Sequence, residues 1–264
     1  WEWLDNNLGG GFLEAGKSLY VFAGETNIGK SIFLGNIAHN IAHEGKNVLL
    51  VTLEMSELLY ARRICTNVTK VPMKELAGNT PAIKQAISEE KGKIFIKEFP
   101  PSTITPNQLK GFIKKFQEQG IELDAIVLDY LNLMHSTMGN NSYERIKHVT
   151  EQVRAMSYLF NCPIISATQL NRAGFDTDNP DLATISESIG LAATADVICS
   201  IFQNEEDREL GIIRLGMMKN RYGPRGTSQA MSINYSTLTI EEADDVEFED
   251  DSMETLNALA GLAS

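Results

Sequence analysis

The sequence predicts an α/β protein in which a mostly parallel, twisted sheet is flanked by helices and bordered by antiparallel strands near the C-terminus. Short apolar segments alternate with segments of about 10–15 residues that have helical periodicity, a pattern typical of parallel strands joined by crossover helices. Near the C-terminus the apolar segments follow one another without such helices, which favours antiparallel pairing. The chain of 264 residues, 43% of them hydrophobic, is long enough to bury one large core.

Each strand and helix is predicted from the local hydrophobic pattern and from signals at its ends. Strands are expected at residues 19–22, 47–53, 94–98, 124–129, 163–167, 196–202, 210–219, 228–234 and 237–241. Helices are expected at residues 32–42, 57–69, 105–119 and 143–160. Ser56 is the expected N-cap of the second helix, since its hydroxyl can accept a backbone N–H of the first turn. Two longer irregular segments, 135–142 and 172–186, follow strands, where α/β folds commonly bind ligands.

The segment AGETNIGKS, residues 23–31, joins the first strand to the first helix and matches the P-loop (Walker A) pattern. Glycine lets this backbone curl so that several N–H groups point at phosphate oxygens, and the following helix presents its positive N-terminus to the same anion. Lys30 is expected to contact the β- and γ-phosphates of ATP or another NTP, and the Ser31 hydroxyl to ligate Mg²⁺. The predicted nucleotide-binding residues of this segment are Gly24, Glu25, Thr26, Asn27, Ile28, Gly29, Lys30 and Ser31.

Acidic residues follow two other buried strands. Asp129 ends the segment AIVLD, as expected of a Walker B carboxylate that binds Mg²⁺ through water. Glu54 follows the second strand, and its carboxylate is expected to orient the attacking water as a general base. The alternatives are that Asp129 begins a turn and that Glu54 is a helix-start acid stabilised by the helix dipole.

A polar residue and a basic segment follow later strands. Gln169 comes after the strand expected at 163–167, where its amide could donate to the γ-phosphate and report its loss to the adjoining loop. The basic segment MKNRYGPRG, residues 218–226, ends a strand and contains a candidate arginine finger that acts on a neighbouring subunit. A solvated basic hairpin is the alternative interpretation of this segment.

Charge is distributed unevenly along the chain. The formal net charge is −12, but residues 241–264 contain nine acidic residues and no Lys or Arg, so the remainder carries only −3. A near-neutral body can hold a local basic or amide-rich groove for nucleic acid despite a low overall charge. The tail ends in METLNALAGL, residues 253–262, which is expected to be either a short amphipathic recognition helix or part of a solvated tail.

Other patterns argue against metal sites, membrane insertion and secretion. Cys65, Cys162 and Cys199 are far apart and odd in number, so they are expected to be reduced core thiols of a cytosolic protein. His39 and His43 have the i, i+4 spacing of one helix face but no Glu in the zinc-protease arrangement, so a packed or solvated face is expected. No apolar run reaches the roughly 18 residues of a membrane span, and the N-terminus lacks a secretion signal.

Taken together, the motifs resemble those of the motor domain of DnaB-type replicative helicases, which has the RecA-like P-loop NTPase fold, and in particular those of T-even-type bacteriophages. The matching segments are LGGG (8–11), GETNIGKS (24–31), LEMS (53–56), LDYLNLM (128–134), QLNR (169–172), ADVI (195–198) and Lys219-x-Arg221-x-Gly223. They run in order over about residues 8–227. One departure is the second loop, where the family commonly has Arg-Glu-Ser-Gly and this chain has SESI at 186–189, with Gly190 one place later.

The resemblance implies a homo-hexameric ring that hydrolyses ATP with Mg²⁺ between neighbouring subunits and translocates on single-stranded DNA. One subunit would supply Lys30, Ser31, Asp129, Glu54 and Gln169, with Arg63 beside the nucleotide, and the next subunit would supply Lys219 and Arg221. DNA-contacting loops would lie at about 135–142 and 172–190, with Asn171, Arg172, Glu187, Ser188 and Gly190 as expected contacts. Primase and a helicase loader are the implied partners, and the acidic tail could bind a replication partner. The implied location is the cytoplasm, which is that of the host cell if the protein is phage-encoded.

The expected domains are the end of an inter-domain linker at 1–7, a RecA-like ATPase domain at 8–240 and an acidic tail at 241–264. The chain does not begin with Met, and the family's N-terminal domain is expected in a longer protein, with residues 1–4 packed on a neighbouring subunit. Two alternative functions stay open from the residues: a RecA-type recombinase and a nucleotide-gated interaction module that acts through the acidic tail. A small-molecule kinase is disfavoured because no arginine-rich lid follows the Walker motifs.

Overall fold

A computed structural model describes residues 1–12, 17–136, 138–139, 141–170 and 189–243. Its α-helices are α1 (Glu2–Asn7), α2 (Lys30–His43), α3 (Glu57–Thr69), α4 (Thr80–Glu89), α5 (Pro106–Glu118), α6 (Ser142–Phe160), α7 (Ile189–Thr194) and α8 (Glu205–Leu210). Its strands are β1 (Leu19–Gly24), β2 (Asn47–Thr52), β3 (Lys93–Glu98), β4 (Ala125–Asp129), β5 (Ile164–Gln169), β6 (Val197–Phe202), β7 (Ile212–Asn220), β8 (Ser228–Asn234) and β9 (Thr239–Glu242). Short 3₁₀-helices lie at Met73–Gly78 and Leu131–Leu133.

The strands form one sheet in the order β3-β2-β4-β5-β1-β6-β7-β8-β9. Strands β1 to β6 are parallel, and β7, β8 and β9 continue the sheet in antiparallel pairing, which confirms the predicted fold class. Gly24 pairs with Gln169 and Ile201, so the ends of the parallel strands lie at one edge, the carboxyl edge. Strand β7 runs the other way, and Asn220 pairs with Val197 at the opposite, amino edge.

Helices cover both faces of the sheet because successive side chains of each buried strand point to opposite faces. On one face, Phe22 packs with Phe33 and Ile37 of α2, and the Phe22 and Phe33 ring centroids are 4.7 Å apart. On the other face, Val21 packs in a cluster with Val153 of α6. Every residue of β1 is buried, which explains why its sequence is an unbroken apolar run.

The N-terminal helix α1 packs on the same domain. Leu4 is buried, and the indole of Trp1 stacks on Phe33 with ring centroids 4.7 Å apart. The Trp1 Nε1–H donates to the carbonyl oxygen of Ile240 at 3.1 Å. Residues 1–4 thus pack within this chain, and their expected packing on a neighbouring subunit stays a prediction. Their apolar pattern indicated burial, but a pattern does not specify which copy of the chain supplies the surface.

Most predicted elements are confirmed to within a few residues, but α1, α4, α7 and α8 were not predicted. Helix α8 has a capping box, in which Asn204 accepts the Asp207 N–H at 2.7 Å and Asp207 accepts the Asn204 N–H at 3.3 Å. Gly211 then ends the helix with φ +68°, in the left-handed region. The strand expected at 210–219 therefore begins at Ile212, since residue 210 still belongs to α8.

None of the described helices combines the length and the apolar character that a membrane crossing requires. The three cysteines are free. Burial raises the pKa of the Cys162 and Cys199 thiols to about 12, so both stay protonated in the core.

Candidate nucleotide-binding site

The loop between β1 and α2 has a backbone suited to a phosphate group. Gly29 has φ +102°, in the region that favours glycine. At Gly24 a Cβ atom would lie 2.8 Å from Cγ2 of Ile28 and 3.0 Å from the carbonyl oxygen of Ile201, so only glycine fits without moving the loop. Helix α2 begins at Lys30 and is 14 residues long, and its positive N-terminus lies beside the loop.

Lys30 directs its ammonium group into this loop. Its Nζ donates to the carbonyl oxygen of Gly24 at 3.0 Å and to that of Glu25 at 2.5 Å. Burial lowers the pKa of Lys30, while the carboxylates of Glu54 and Asp129 act in the opposite direction. The cation thus lies between the loop backbone and two acidic groups, where a triphosphate and its metal ion would fit.

Asp129 is the buried acid of the site. Its residue is fully buried, and neither carboxylate oxygen has a hydrogen-bond partner of normal geometry among the described residues. Burial raises the pKa of Asp129, and the nearby hydroxyl of Ser31 lowers it. A buried carboxylate without partners is costly, and a hydrated Mg²⁺ would supply them. The donor set of Asp129 and the Ser31 hydroxyl therefore fits this ion.

Asp129 ends β4, and Glu54 lies two residues beyond the end of the adjacent strand β2. The register pairs Thr52 with Asp129, and the Leu53 N–H donates to the Asp129 carbonyl oxygen at 2.7 Å. Glu54 follows immediately and is exposed, and its charge acts on the pKa of both Lys30 and Asp129. One acid is thus buried, and the other is open to water.

Gln169 lies next to the P-loop, at the end of β5. Its Nε2 donates to the hydroxyl oxygen of Thr26 at 2.6 Å. Because Gln169 pairs with Gly24 in the sheet, its amide reaches the loop without any other element between them. The Gln169 side chain and the P-loop are therefore in direct contact.

Two residues of α3 lie beside Ser31, at the start of α2. Arg63 lines a small cavity with Ser31 and Asn67, beside the predicted metal ligand. Tyr60, which was not predicted, is fully buried and donates its hydroxyl hydrogen to the Ser31 carbonyl oxygen at 3.0 Å. Burial raises the pKa of Tyr60, and the negative charge of Asp129 raises it further. In the sequence, Tyr60 follows the apolar spacing of α3, so nothing distinguished it from an ordinary core residue.

Lys219 and Arg221 lie at the amino edge of the sheet, away from Lys30. The Lys219 Nζ donates to the carbonyl oxygens of three α7-terminal residues at 2.7–3.2 Å, namely Ala192, Ala193 and Ala195. Burial lowers the pKa of Lys219, and the charge of Arg221 lowers it further. Arg221 Nη1 donates to Oδ1 of Asp196 at 2.8 Å, and its side chain is 46% exposed.

Asp196 is the centre of a cluster that the sequence did not reveal. It is only 1% exposed, and its Oδ2 accepts the Leu19 backbone N–H at 3.0 Å. Arg154 of α6 donates from Nε and Nη2 to both carboxylate oxygens, at 2.9 and 2.8 Å. One buried carboxylate thus holds two guanidinium groups, of which Arg221 is the more exposed.

The expected DNA contacts are described only in part. Asn171, Arg172, Glu187 and Ser188 lie outside the described residues. Gly190 is buried in α7, and a Cβ atom there would lie 2.6 Å from Cβ of Lys147 on α6. The missing side chain at Gly190 therefore serves the close packing of two helices, and a DNA contact at this position stays a prediction.

The profile of the family described as DnaB-like helicase C terminal domain matches residues 1–238. A DnaB-like replicative helicase of Enterobacteria phage T4 is 26% identical over 233 residues, which cover 83% of this chain and 49% of that protein. A replicative DNA helicase DnaB of Buchnera aphidicola is 29% identical over 228 residues, which cover 80% and 49%, respectively. The chain therefore spans about half the length of the curated relatives it matches.

Two solved structures have the same fold. One, described as an ATPase domain, superposes with a TM-score of 0.80 at 18% identity, covering 92% of this chain and 89% of that chain. The other, a DnaB-like replicative helicase described with its interactions with primase, superposes with a TM-score of 0.79 at 17% identity, covering 92% and 61%. These likenesses establish the RecA-like architecture of the sheet and its helices.

Proposed function

The chain belongs to the family of DnaB-like helicase C-terminal domains, and we propose that it is the ATP-driven motor of a hexameric replicative helicase. The motor would translocate on single-stranded DNA and unwind the duplex at a replication fork in the cytoplasm. The family match favours this function over the recombinase alternative. Primase is a proposed partner because one structural neighbour is described with its interactions with primase. A helicase loader and a partner for the acidic tail are further proposals.

The observation that carries the proposal is the separation of the site into two halves. Lys30 lies at the carboxyl edge of the sheet, whereas Lys219 and Arg221 lie at the amino edge. Strands rise about 3.3 Å per residue, so six-residue strands keep the two edges about 15–20 Å apart. A triphosphate on Lys30 is therefore out of reach of Arg221 in the same chain. A head-to-tail ring brings the amino edge of one copy to the carboxyl edge of the next.

The residues of one copy would divide the work at the phosphates. Lys30 and the loop N–H groups bind the β- and γ-phosphates, and Glu54 orients the attacking water. Ser31 and Asp129 would hold Mg²⁺, Asp129 through water, and the ion when bound neutralises charge on the phosphate oxygens. Gln169 would relay the state of the γ-phosphate to the segment after β5.

The next copy would supply the remaining cations. Arg221 is half-exposed, and it would leave Asp196 to contact the γ-phosphate of its neighbour, while Arg154 keeps the carboxylate paired. An arginine supplied in trans is worth about 10³–10⁵ in turnover. Binding to DNA would rest mainly on phosphate contacts and would weaken with salt.

Complementation between two inactive variants tests the split site. Lys30→Ala removes the phosphate-binding cation, and Arg221→Ala removes the proposed finger, so neither variant alone should turn over ATP. In randomly mixed rings, about one quarter of the boundaries combine an intact P-loop with an intact finger, so activity should reappear. The matched control is the double variant, Lys30→Ala with Arg221→Ala, mixed with wild-type chain. It dilutes the active boundaries in the same way but allows no complementation.

Three outcomes would count against the proposal. A mixture no more active than its separate components, under conditions where the wild-type chain hydrolyses ATP, excludes a finger in trans. Negative-stain images of the chain with an ATP analogue and single-stranded DNA should show closed rings, and helical filaments would favour the recombinase alternative. Absence of stimulation by single-stranded DNA would favour the nucleotide-gated interaction module.

A further inference from the structure

The far end of α2, remote from the P-loop, carries a cluster of three metal-ligating side chains. His39 and His43 are on the same face of α2, and Glu90 directly follows α4. The His39 Nε2 lies 3.0 Å from Glu90 Oε1, and the His43 Nδ1 lies 3.6 Å from the same oxygen. We propose that these residues form a binding site for a transition-metal ion such as Zn²⁺. The sequence predicted only a packed or solvated face here, since Glu90 is too distant in the chain to form a spacing motif.

The distances suit tetrahedral coordination. Zn²⁺ binds imidazole nitrogen and carboxylate oxygen at about 2.0–2.2 Å, which separates neighbouring ligand atoms by about 3.3–3.5 Å. The two observed separations, 3.0 and 3.6 Å, bracket this value, and the three ligand atoms all lie within 4.8 Å of one another. Small side-chain rotations are therefore sufficient to place all three around one ion.

A simple ion pair does not account for the state of Glu90. Its Oε1 is shared by both imidazoles, whereas its Oε2 is buried and has no hydrogen-bond partner among the described residues. An unpaired buried carboxylate oxygen is destabilising, and a bound cation would compensate its charge. The third side chain of the cluster, His43, is 60% exposed and gives an ion a path from solvent.

A cavity of about 590 Å³ borders the cluster and leaves space for a further ligand. Its lining includes all three residues together with Glu44 and Glu89, which add negative charge near the ion. Three protein ligands and one water form a usual set for zinc. Two imidazole ligands favour Zn²⁺, Co²⁺, Ni²⁺ or Cu²⁺ over Mg²⁺ and Ca²⁺, which prefer oxygen.

The proposed site is separate from the nucleotide site. Helices rise about 1.5 Å per residue, so His39 and His43 lie about 14–20 Å along α2 from Lys30. An ion bound there would join the P-loop helix to the connection between α4 and β3, and would take no part in ATP hydrolysis. The experiment on this site can therefore succeed or fail independently of the proposed function.

Titration of the purified metal-free chain with Co²⁺, followed by competition with Zn²⁺, tests the site. The wild-type chain should bind one Co²⁺ with the visible absorption of a four-coordinate ion, and Zn²⁺ should displace it. His43→Gln and Glu90→Gln should each lower the affinity at least about 100-fold, since even partners outside the ligand set are worth about 10–100-fold. His135→Gln, at an exposed histidine outside the cluster, is the matched control and should bind like wild type.

Thermal unfolding gives a second measurement that needs no spectroscopic probe. Zn²⁺ should raise the Tm of the wild-type chain and of His135→Gln, but not that of His43→Gln, because only ligands of the folded state stabilise it. Since His43 is 60% exposed, its replacement should leave the metal-free Tm unchanged. Equal Co²⁺ affinity in His43→Gln and wild type, or no binding by wild type, would overturn the proposal. Lys30→Ala should keep the metal site intact.

Discussion

Arg154 and Arg221 share the Asp196 carboxylate, but only Arg221 is proposed to act on a neighbouring subunit. Arg154 donates two hydrogen bonds to Asp196 and is 26% exposed, whereas Arg221 donates one side-chain bond and is 46% exposed. Replacing each by Ala should therefore separate stability from turnover. Arg154→Ala should mainly destabilise the fold, and Arg221→Ala should mainly stop hydrolysis.

The magnitudes follow from burial. Arg154→Ala leaves a carboxylate that is 1% exposed with the Leu19 N–H and the half-exposed Arg221 as its partners, and breaking such a buried pair costs about 3–5 kcal/mol. Arg221→Ala removes one partly exposed contact, worth about 1 kcal/mol or less. For a domain of this size, each kcal/mol of lost stability lowers the Tm by about 2–4 °C. The expected fall in Tm is therefore about 6–20 °C for Arg154→Ala and about 2–4 °C for Arg221→Ala. Turnover should fall by about 10³-fold or more in Arg221→Ala.

Three measurements check this pair of variants: urea unfolding, binding of a fluorescent ATP analogue, and steady-state ATPase activity. Both variants should bind nucleotide, and the Arg154→Ala chain should hydrolyse ATP in proportion to its folded fraction. Equal loss of stability in the two variants would contradict the assignment of Arg154 as the main partner of Asp196. Loss of nucleotide binding in Arg221→Ala would contradict a role confined to the transition state.

Three further substitutions test single parts of the site. Asp129→Asn should stabilise the nucleotide-free chain at neutral pH. Burial raises the pKa of Asp129, so the stability of the wild-type chain falls as the pH rises above the ordinary pKa of 3.8. Unfolding measured across a pH series should show this fall only in the wild-type chain. Gly24→Ala should abolish nucleotide binding and lower the Tm, because its Cβ would lie 3.0 Å from the Ile201 carbonyl oxygen. The control Gly111→Ala, in open space on α5, should stabilise the folded chain by up to about 1 kcal/mol. Gln169→Ala should keep nucleotide binding but lose stimulation of turnover by single-stranded DNA, since its amide contacts the P-loop at 2.6 Å.

Each of these expectations has a clear contrary result. A wild-type stability curve parallel to that of Asp129→Asn would mean that Asp129 stays ionised at no cost. A Gly24→Ala chain that binds nucleotide normally would show that the loop can move away from β6. Unchanged DNA-stimulated turnover in Gln169→Ala would rule out the relay through β5.

The sequence predicted well the placement of those residues that local spacing and strand direction bring together, and their roles stay predictions. Gly24, Gly29 and Lys30 are fixed by one loop, so their spacing alone specified it. Glu54, Asp129 and Gln169 are far apart in the chain but follow parallel strands, and a parallel sheet brings such ends together. Strand periodicity and strand direction were therefore sufficient to place these residues near one another.

Clusters formed by tertiary packing could not be predicted in this way. Asp196 meets Arg154 and Arg221 only because β6, α6 and β7 converge at the amino edge, and no spacing rule links these three positions. Glu90 likewise reaches His39 only because the segment after α4 lies against α2. By contrast, the capping box of α8 was present in the sequence, and the helix was missed because its six residues carry no apolar periodicity.

Lys219 connects the proposed intersubunit contact with the helix that follows the expected DNA-binding loop. Its ammonium binds the carbonyl oxygens of Ala192, Ala193 and Ala195, which α7 and the turn after it leave without helical partners. If Lys219 reaches the triphosphate of a neighbour, as proposed, it must release these carbonyls, so nucleotide and α7 compete for one cation. By linkage, ligands that move the DNA loop would then alter nucleotide affinity to the same extent. Lys219→Ala should therefore uncouple DNA affinity from nucleotide state, and full retention of that coupling would contradict the competition.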